Sequence, residues 1–427
     1  MTGLNSVLQV GIVGGGIAGV ALALELCRHP HLEVKLFEAA PAFGEVGAVV
    51  SFGANAVRAI EGLGIGGSYR RIADRNPQPW EDIWFEWRRG IDAGYLGVSI
   101  AYGVGQSSVH RADFLDALAQ HIPKEIACFN KRAESVKQVQ DRVTVQFTDG
   151  TNHECDLLIA ADGIKSSLRD YVLKGLGEPM VAPRFSGTCA YRGMIDSEQL
   201  RAAYRAACVD QHLIDIPQMY LGLDAHILTF PVKKGRLINV VAFVSDRSVP
   251  NPVWPQDTPW VKTTSQAQML DAFAHWGDAV RVLLKCIPAP TLWALHELDQ
   301  LAGYTHGRVG LIGDAAHAML PHQGAGAGQG LEDAWLLARV LGDKRVLQSN
   351  PQEVLQVYDA IRRPRACRVQ RTSREACELY EFRDPHVEDS EPHLSTSLAR
   401  RFDWLWDHDM QADLAQAHIL LGWAEVT

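Results

Sequence analysis

Leu8–Glu38 reads LQVGIVGGGIAGVALALELCRHPHLEVKLFE, and its reading decides the fold. Leu8–Val13 is a short apolar run of the kind that forms a buried strand. Gly14-Gly15-Gly16-Ile17-Ala18-Gly19 follows, then a helical run to Arg28. A second, mainly apolar strand, Val34–Phe37, ends at Glu38. Strand, GxGxxG, helix, strand and acidic end together form a unit of the dinucleotide-binding kind. Gly14 permits the tight turn, Gly16 lets a pyrophosphate approach the backbone, and Gly19 lets the helix lie close to the strand. Ala18 sits in the first helical turn, whose positive end faces the phosphates. Glu38, 19 residues after Gly19, can accept the two ribose hydroxyls of an adenosine. The motif does not separate FAD from NAD, although the acid disfavours a 2′-phosphate.

Two later turns share this character. Asp156–Ala160 reads as a strand that leads into Asp162-Gly163 ahead of a helix. Asp162 is either a ligand-facing acid or the N-cap of an ordinary Asp-Gly turn. Val309–Ile312 leads into Gly313-Asp314, then His317, His322 and four alternating glycines at 324, 326, 328 and 330, with a helix expected from about Leu331. Backbone N–H groups and the helix dipole make such a stretch a place to hold a polar ligand. His110-Arg111 opens another helix; Arg111 either reaches a cofactor or is a surface arginine beside Asp113. Gly44–Ala56 reads as a glycine-rich loop leading into a helix.

Composition sets the outer bounds. The 427 residues suffice for two or three domains. The net charge of −9 argues against binding to nucleic acid or an anionic membrane, because no basic excess exists to neutralise phosphates. Eight scattered cysteines, none in a CxxC pair, suit reduced thiols and no metal centre. The longest apolar run, Val10–Leu24, is 15 residues with five glycines, short of the ~20 a membrane helix needs. No Lys or Arg precedes it, so a signal peptide is not expected and a cytoplasmic location is.

From Arg184 to about Trp293 strands alternate with turns (Ala190–Met194, Met219–Leu223, His226–Pro231, Leu237–Ser245), which suggests an antiparallel or mixed sheet inserted into the nucleotide-binding domain. After Leu331 the chain reads as mostly helical. Pro364 is expected to start or kink Arg362–Phe382, and Asp384–Glu391 to form an acidic loop.

In order, the three motifs resemble those of the class A flavoprotein monooxygenases, the para-hydroxybenzoate hydroxylase fold. D-G-x-x-S-x-[VL]-R is matched by Asp162, Gly163, Ser166, Leu168 and Arg169. G-D-A-A-H-x-x-x-P is matched by Gly313, Asp314, Ala315, Ala316, His317 and Pro321. Stretches such as WFEWRRG, SSVHRADF and AMLPHQGAGAGQGLEDA extend the resemblance, within that family, to members that hydroxylate salicylate. The resemblance implies an α/β fold: a Rossmann-type FAD-binding domain in three parts (1–75, 101–182, 291–360), an inserted mixed or antiparallel β-sheet substrate domain (76–100, 183–290) and a helical C-terminus (361–427). It implies FAD with its pyrophosphate at Gly14–Gly19 and its ribose on Glu38. Arg111 would sit on the phosphate or ribityl side, Asp314 on a ribityl hydroxyl, and Ala327 and Gly328 at the pyrimidine end of the flavin. Asp162 would lie between flavin and NADH, which needs no second Rossmann domain. Val49 and Ala54 depart from the family pattern, which has a glycine and a proline there.

The implied reaction is NADH- and O2-dependent decarboxylative hydroxylation of salicylate to catechol through a flavin hydroperoxide. The alternative is non-decarboxylating hydroxylation of a related hydroxybenzoate or hydroxynicotinate. The implied partners are a small aromatic acid, O2 and NADH, on a monomer or homodimer. An electrophilic oxygen needs an electron-rich ring, so the phenol requires a base. His322 is the candidate, against a structural loop histidine; His317 reads as part of the turn. Arg247 is the candidate for the substrate carboxylate, against a surface arginine paired with Asp246; Arg192 and Arg184 are alternatives. Met219, Phe230 and Phe243 form either an apolar substrate wall or plain sheet core.

Overall fold

Leu8–Val13 pairs in parallel with Leu32–Phe37 on one side and Leu157–Ala160 on the other. The computed structural model describes residues 7–44, 49–385 and 391–423; positions 45–48 of the expected glycine-rich loop and 386–390 of the acidic tail lie outside the described residues. Val309–Leu311 continues the sheet in parallel, and the edges are the short strands Ala127–Cys128 and Thr305–His306, the latter antiparallel. The inner strands are apolar on both faces because helices cover both. Three strand ends come level: Ala161 N donates to Val13 O at 2.7 Å and Ile312 N to Ala160 O at 2.9 Å. The turns after these strands, at Gly14, Asp162 and Gly313, therefore share one edge, the carboxyl edge where open α/β sheets bind ligands.

Gly14 has φ +112°, and a Cβ there would stand 2.2 Å from Ala161 O. A Cβ at Gly19 would lie 2.0 Å from Gly14 O, so the helix Ile17–Leu26 can lie against the turn only with glycine at that position.

The second sheet has eight strands. Their order is Val261–Thr263, Thr291–Glu297, Arg184–Asp196, Leu237–Ser245, Ala225–Val232, Gln218–Gly222, Ile83–Arg89 and Tyr95–Ile100. All pairs are antiparallel except Gln218–Gly222 with Ile83–Arg89, so the sheet is mixed. Alternation separates its faces. Ile227, Ile238, Val240, Ala242 and Leu292 pack with the helices Ser197–Ala206 and Asp278–Lys285. Leu228, Phe230, Val241, Phe243 and Trp293 look the other way, towards the glycine turns.

Several boundaries differ from expectation. Arg184–Asp196 is one strand of 13 residues, longer than the expected Ala190–Met194, because it pairs along both sides with a register shift between Phe185 and Cys189. Val49–Phe52 is a strand, paired with Ser107–His110, where a loop was expected; β-branched Val49 and Val50 suit it. The helix expected from Leu331 begins at Gly326 and runs to Leu341, since Gly324, left-handed at φ 63°, ends the preceding turn. The long helix expected around Pro364 is Pro351–Tyr380, 30 residues, with Pro351 in its first turn and Pro364 inside it, and three shorter helices follow. Burial of Ile361, Ala366 and Val369 on either side of Pro364 holds the helix through a residue that normally ends one. Among the described residues, no helix is long and apolar enough to cross a membrane.

Candidate cofactor and substrate cleft

A cleft of about 770 Å³ runs from the carboxyl edge of the parallel sheet to the face of the eight-stranded sheet that carries Leu228, Phe230 and Phe243. Gly14, Gly16, Ala18, Glu38, Arg111, Asp162, Asp314 and Ala327 all line it. The lining suits a dinucleotide with a flavin end. Neither the helix Ile17–Leu26 nor the helix Gly326–Leu341 has a side-chain cap, so both offer open N–H groups to an anion. Asp162 Oδ1 is buried without a hydrogen-bond partner, and burial, the largest influence, pushes that carboxyl above the usual range. Glu38 accepts from Gly15 N at 2.6 Å and Ala40 N at 2.7 Å, which fixes its carboxylate at the cleft beside the Gly14 turn. Asp314 stays exposed in the cleft.

Gly328 does not line the cleft. A Cβ there would lie 2.9 Å from Ala56 Cβ, so this glycine lets its helix pack on Ala54–Gly62. Ala325, Gly326 and Ala327 line the cleft at this helix start, which comes five residues earlier than expected. Val49 lines the cleft from its strand, and Ala54 is the first residue of a helix.

At the sheet end, Phe230 and Phe243 line the cleft; Met219 lies behind them in a cluster with Trp87 and Phe230. Arg247 is elsewhere. It reaches Asp224 at 3.0 Å, Glu378 at 2.8 Å and Glu381 at 2.7 Å, and does not line the cleft. Its expected partner Asp246 instead accepts from Ser248. Arg184 pairs with Glu297 and Asp299. Of the three arginines considered for the carboxylate, the one that lines the cleft is Arg192. Its guanidinium lies 4.5 Å from the Trp293 ring, its Nε is buried without a partner, and burial and Arg111 push it down to about 10.

The two histidines of the long glycine stretch have different surroundings. His317 Nε2 is 2.6 Å from Asp333 Oδ2, which also accepts from Gly313 N at 2.9 Å. Arg362 donates to Asp333 at 2.9 Å and to Glu332 at 2.7 Å, and Arg365 donates to Glu332. This buried charge network, invisible as a motif, ties the Gly313 turn to two helices. His322 Nδ1 is 3.2 Å from His226 Nε2, and His226 Nδ1 is 3.1 Å from Glu381 Oε1. His322 does not itself line the cleft: it is 3% exposed, between cleft-lining Pro321 and Gly324, with its ring centroid 5.1 Å from that of Phe243, and its Nε2 has no hydrogen-bond partner among the described residues. His226, His322 and Cys377 have polar atoms within 4.8 Å of one another. The facing histidine nitrogens bond to each other, and Arg247 lies 4.0 Å from the thiol, so we read this group as a hydrogen-bond cluster.

The helix Pro351–Tyr380 holds the loop carrying His322. Gln370 donates to Ala318 O at 3.2 Å, Ser373 to Leu320 O at 2.6 Å, and Gln323 to Thr372 Oγ1 at 2.8 Å.

A family model described as an FAD binding domain matches residues 7–180 and 291–373, the segments that build the parallel sheet and the glycine turns. The chain belongs to the FAD-binding family of flavoprotein aromatic monooxygenases. Two salicylate hydroxylases of Pseudomonas putida are 68% and 67% identical to it, over 97% and 99% of this chain and 96% and 97% of theirs. A 6-methylsalicylate 1-monooxygenase of Aspergillus terreus is 34% identical over 96% of this chain and 91% of its own. A solved salicylate hydroxylase substrate complex is similar at TM-score 0.91 and 53% identity, covering 96% of this chain and 98% of that one. FAD is the cofactor of this family member. The expected α/β fold, with its mixed second sheet and helical C-terminus, is the one found.

Proposed function

We propose that this protein hydroxylates salicylate to catechol with loss of CO2, consuming NADH and O2. The observation that carries the reading is the 68% identity to a salicylate hydroxylase over 97% of the chain, which spans the cleft-facing sheet as well as the cofactor turns. Bound FAD supplies electron transfer from NADH and activation of O2. The chain's own residues do the rest. Gly14–Gly19 and Glu38 hold the dinucleotide, Asp162, Asp314 and Arg111 its flavin half, and the open helix start at Ala325–Ala327 the reduced flavin's negative charge. Phe230, Phe243 and Trp293 give the substrate ring an apolar wall and exclude water. Arg192 takes the carboxylate in place of Arg247, and His322 takes the phenol proton. The division into FAD-binding parts (1–75, 101–182, 291–360), substrate domain (76–100, 183–290) and C-terminal helices goes with this reading, as does a cytoplasmic location.

The test is to purify the yellow holoenzyme and follow NADH and O2 consumption with and without salicylate, assaying catechol and CO2. Stimulated turnover with equimolar catechol and CO2 is expected. Stimulation with a hydroxylated product that keeps its carboxylate would favour the non-decarboxylating alternative, and no stimulation would sink both.

A further inference from the structure

His322 sits at the end of a hydrogen-bonded chain whose other end is a carboxylate. Glu381 can only accept, because it is ionised. Burial by itself would raise it, but the hydrogen bonds it accepts from His226 and Ser245 hold it below the usual carboxylate range. Ser245 Oγ donates to it at 3.0 Å and Arg247 Nη2 at 2.7 Å. An acceptor at 3.1 Å requires His226 Nδ1 to carry the proton. Neutral His226 then has a bare Nε2, which at 3.2 Å requires a proton on His322 Nδ1. Neutral His322 is therefore left with a bare Nε2, the atom with no partner among the described residues. The order of donors admits no other neutral arrangement.

We propose that Glu381 and His226 are positioning residues that fix the tautomer of His322, leaving Nε2 as the base for the substrate's hydroxyl; this rests on the reading of His322 as that base. The phenol O–H breaks, its electron pair stays on oxygen, and the proton forms the new Nε2–H bond. The positive charge stays on the His322 imidazolium, whose Nδ1–H remains bonded to His226, and the Glu381 carboxylate at the far end of the chain stabilises it. His226 is fully buried on the face of its strand that also carries cleft-lining Leu228 and Phe230, two and four residues further on. The other groups that face this chain are Cys377, Tyr380, Arg247 and Arg401. Burial and the Glu381 charge push the Cys377 thiol up, and burial pushes the Tyr380 phenol up, so both stay neutral. Arg247 holds Glu381 without touching the substrate.

The experiment uses the FAD-loaded enzyme and three variants, H322Q, E381Q and H226Q, with catechol formation measured across pH. E381Q and H226Q should each lower saturated turnover about 10- to 1000-fold. Their acidic limb should move to lower pH, because the imidazolium has lost its counter-charge, while KM for salicylate changes little. Turnover and pH profile unchanged in E381Q and H226Q, with H322Q inactive, would overturn the chain and leave His322 as the base. An unaffected H322Q would overturn both. ¹⁵N NMR of the wild-type histidine rings decides independently of whether a variant folds: a proton on His322 Nδ1 is expected, and one on Nε2 overturns the proposal.

Discussion

His317 and His322 stand five positions apart, and each ends in a carboxylate held by an arginine, yet the two arrangements are built for different ends. At His317 the carboxylate is in direct contact: Asp333 bonds the ring, the Gly313 N–H and Arg362 together, all within 1% exposure. At His322 a second histidine intervenes, and the carboxylate's arginine, Arg247, reaches the surface with a side chain 30% exposed. The first is a brace for the cofactor turn. In the second, a remote charge acts on a ring beside the substrate cleft. A histidine next to a carboxylate thus says little about catalysis until the neighbours of its second nitrogen are known.

The largest effect should come from the brace. R362M leaves Asp333 without its cation in a dry interior and should remove about 3–5 kcal/mol of stability; chemical denaturation with FAD present measures it. An unchanged midpoint would mean the network is not a brace. H322Q should do the reverse, lowering catechol formation about 100- to 10,000-fold with unfolding nearly unaltered. Next comes the cation of the substrate. R192Q should raise KM for salicylate about 10- to 100-fold, the worth of a charge-assisted hydrogen bond, while R247Q leaves KM alone. A KM effect confined to R247Q would restore the original placement.

Acid should sharpen the contrast. Burial, then His226, hold the His322 pKa well below 6.5, so the fold keeps it neutral while the unfolded chain takes up a proton. Its contribution is complete above 6.5 and fades as pH falls from there. Glu381, about 2 against an ordinary 4.5, contributes above 4.5 and loses that contribution as pH falls towards 2. Stability should therefore decline in two stages on acidification, and H322Q should abolish the upper one. The smallest effect is V49G, about 0.5–1 kcal/mol from a weakened strand, read as a small drop in melting temperature.

The cofactor half was legible in the sequence because its parts are local. Gly14, Gly19 and Glu38 lie within one βαβ unit, and their spacing is their function. Gly328 misled because the alternating glycines look alike as text, although one meets Ala56 and its neighbours meet the cleft. The second half was illegible because its contacts are distant: His226 meets His322 across 96 positions and Glu381 across 155. Arg247 was misplaced for a related reason. A residue just past a strand can turn to either side, and here three acids from two other segments draw it away from the cleft.

The 30-residue helix Pro351–Tyr380 carries Arg362 in its body and ends one residue before Glu381. It is a rod about 45 Å long, and it sets the separation between the cofactor turn and the substrate's base as a ruler would. One residue inserted between Arg362 and Gln370 would rotate everything beyond it by about 100°. Arg362 would stay on Asp333 while Ser373 and Glu381 swung off the His322 loop. Such an enzyme should still be yellow and still accept electrons from NADH, but the oxygen it activates would be wasted as peroxide.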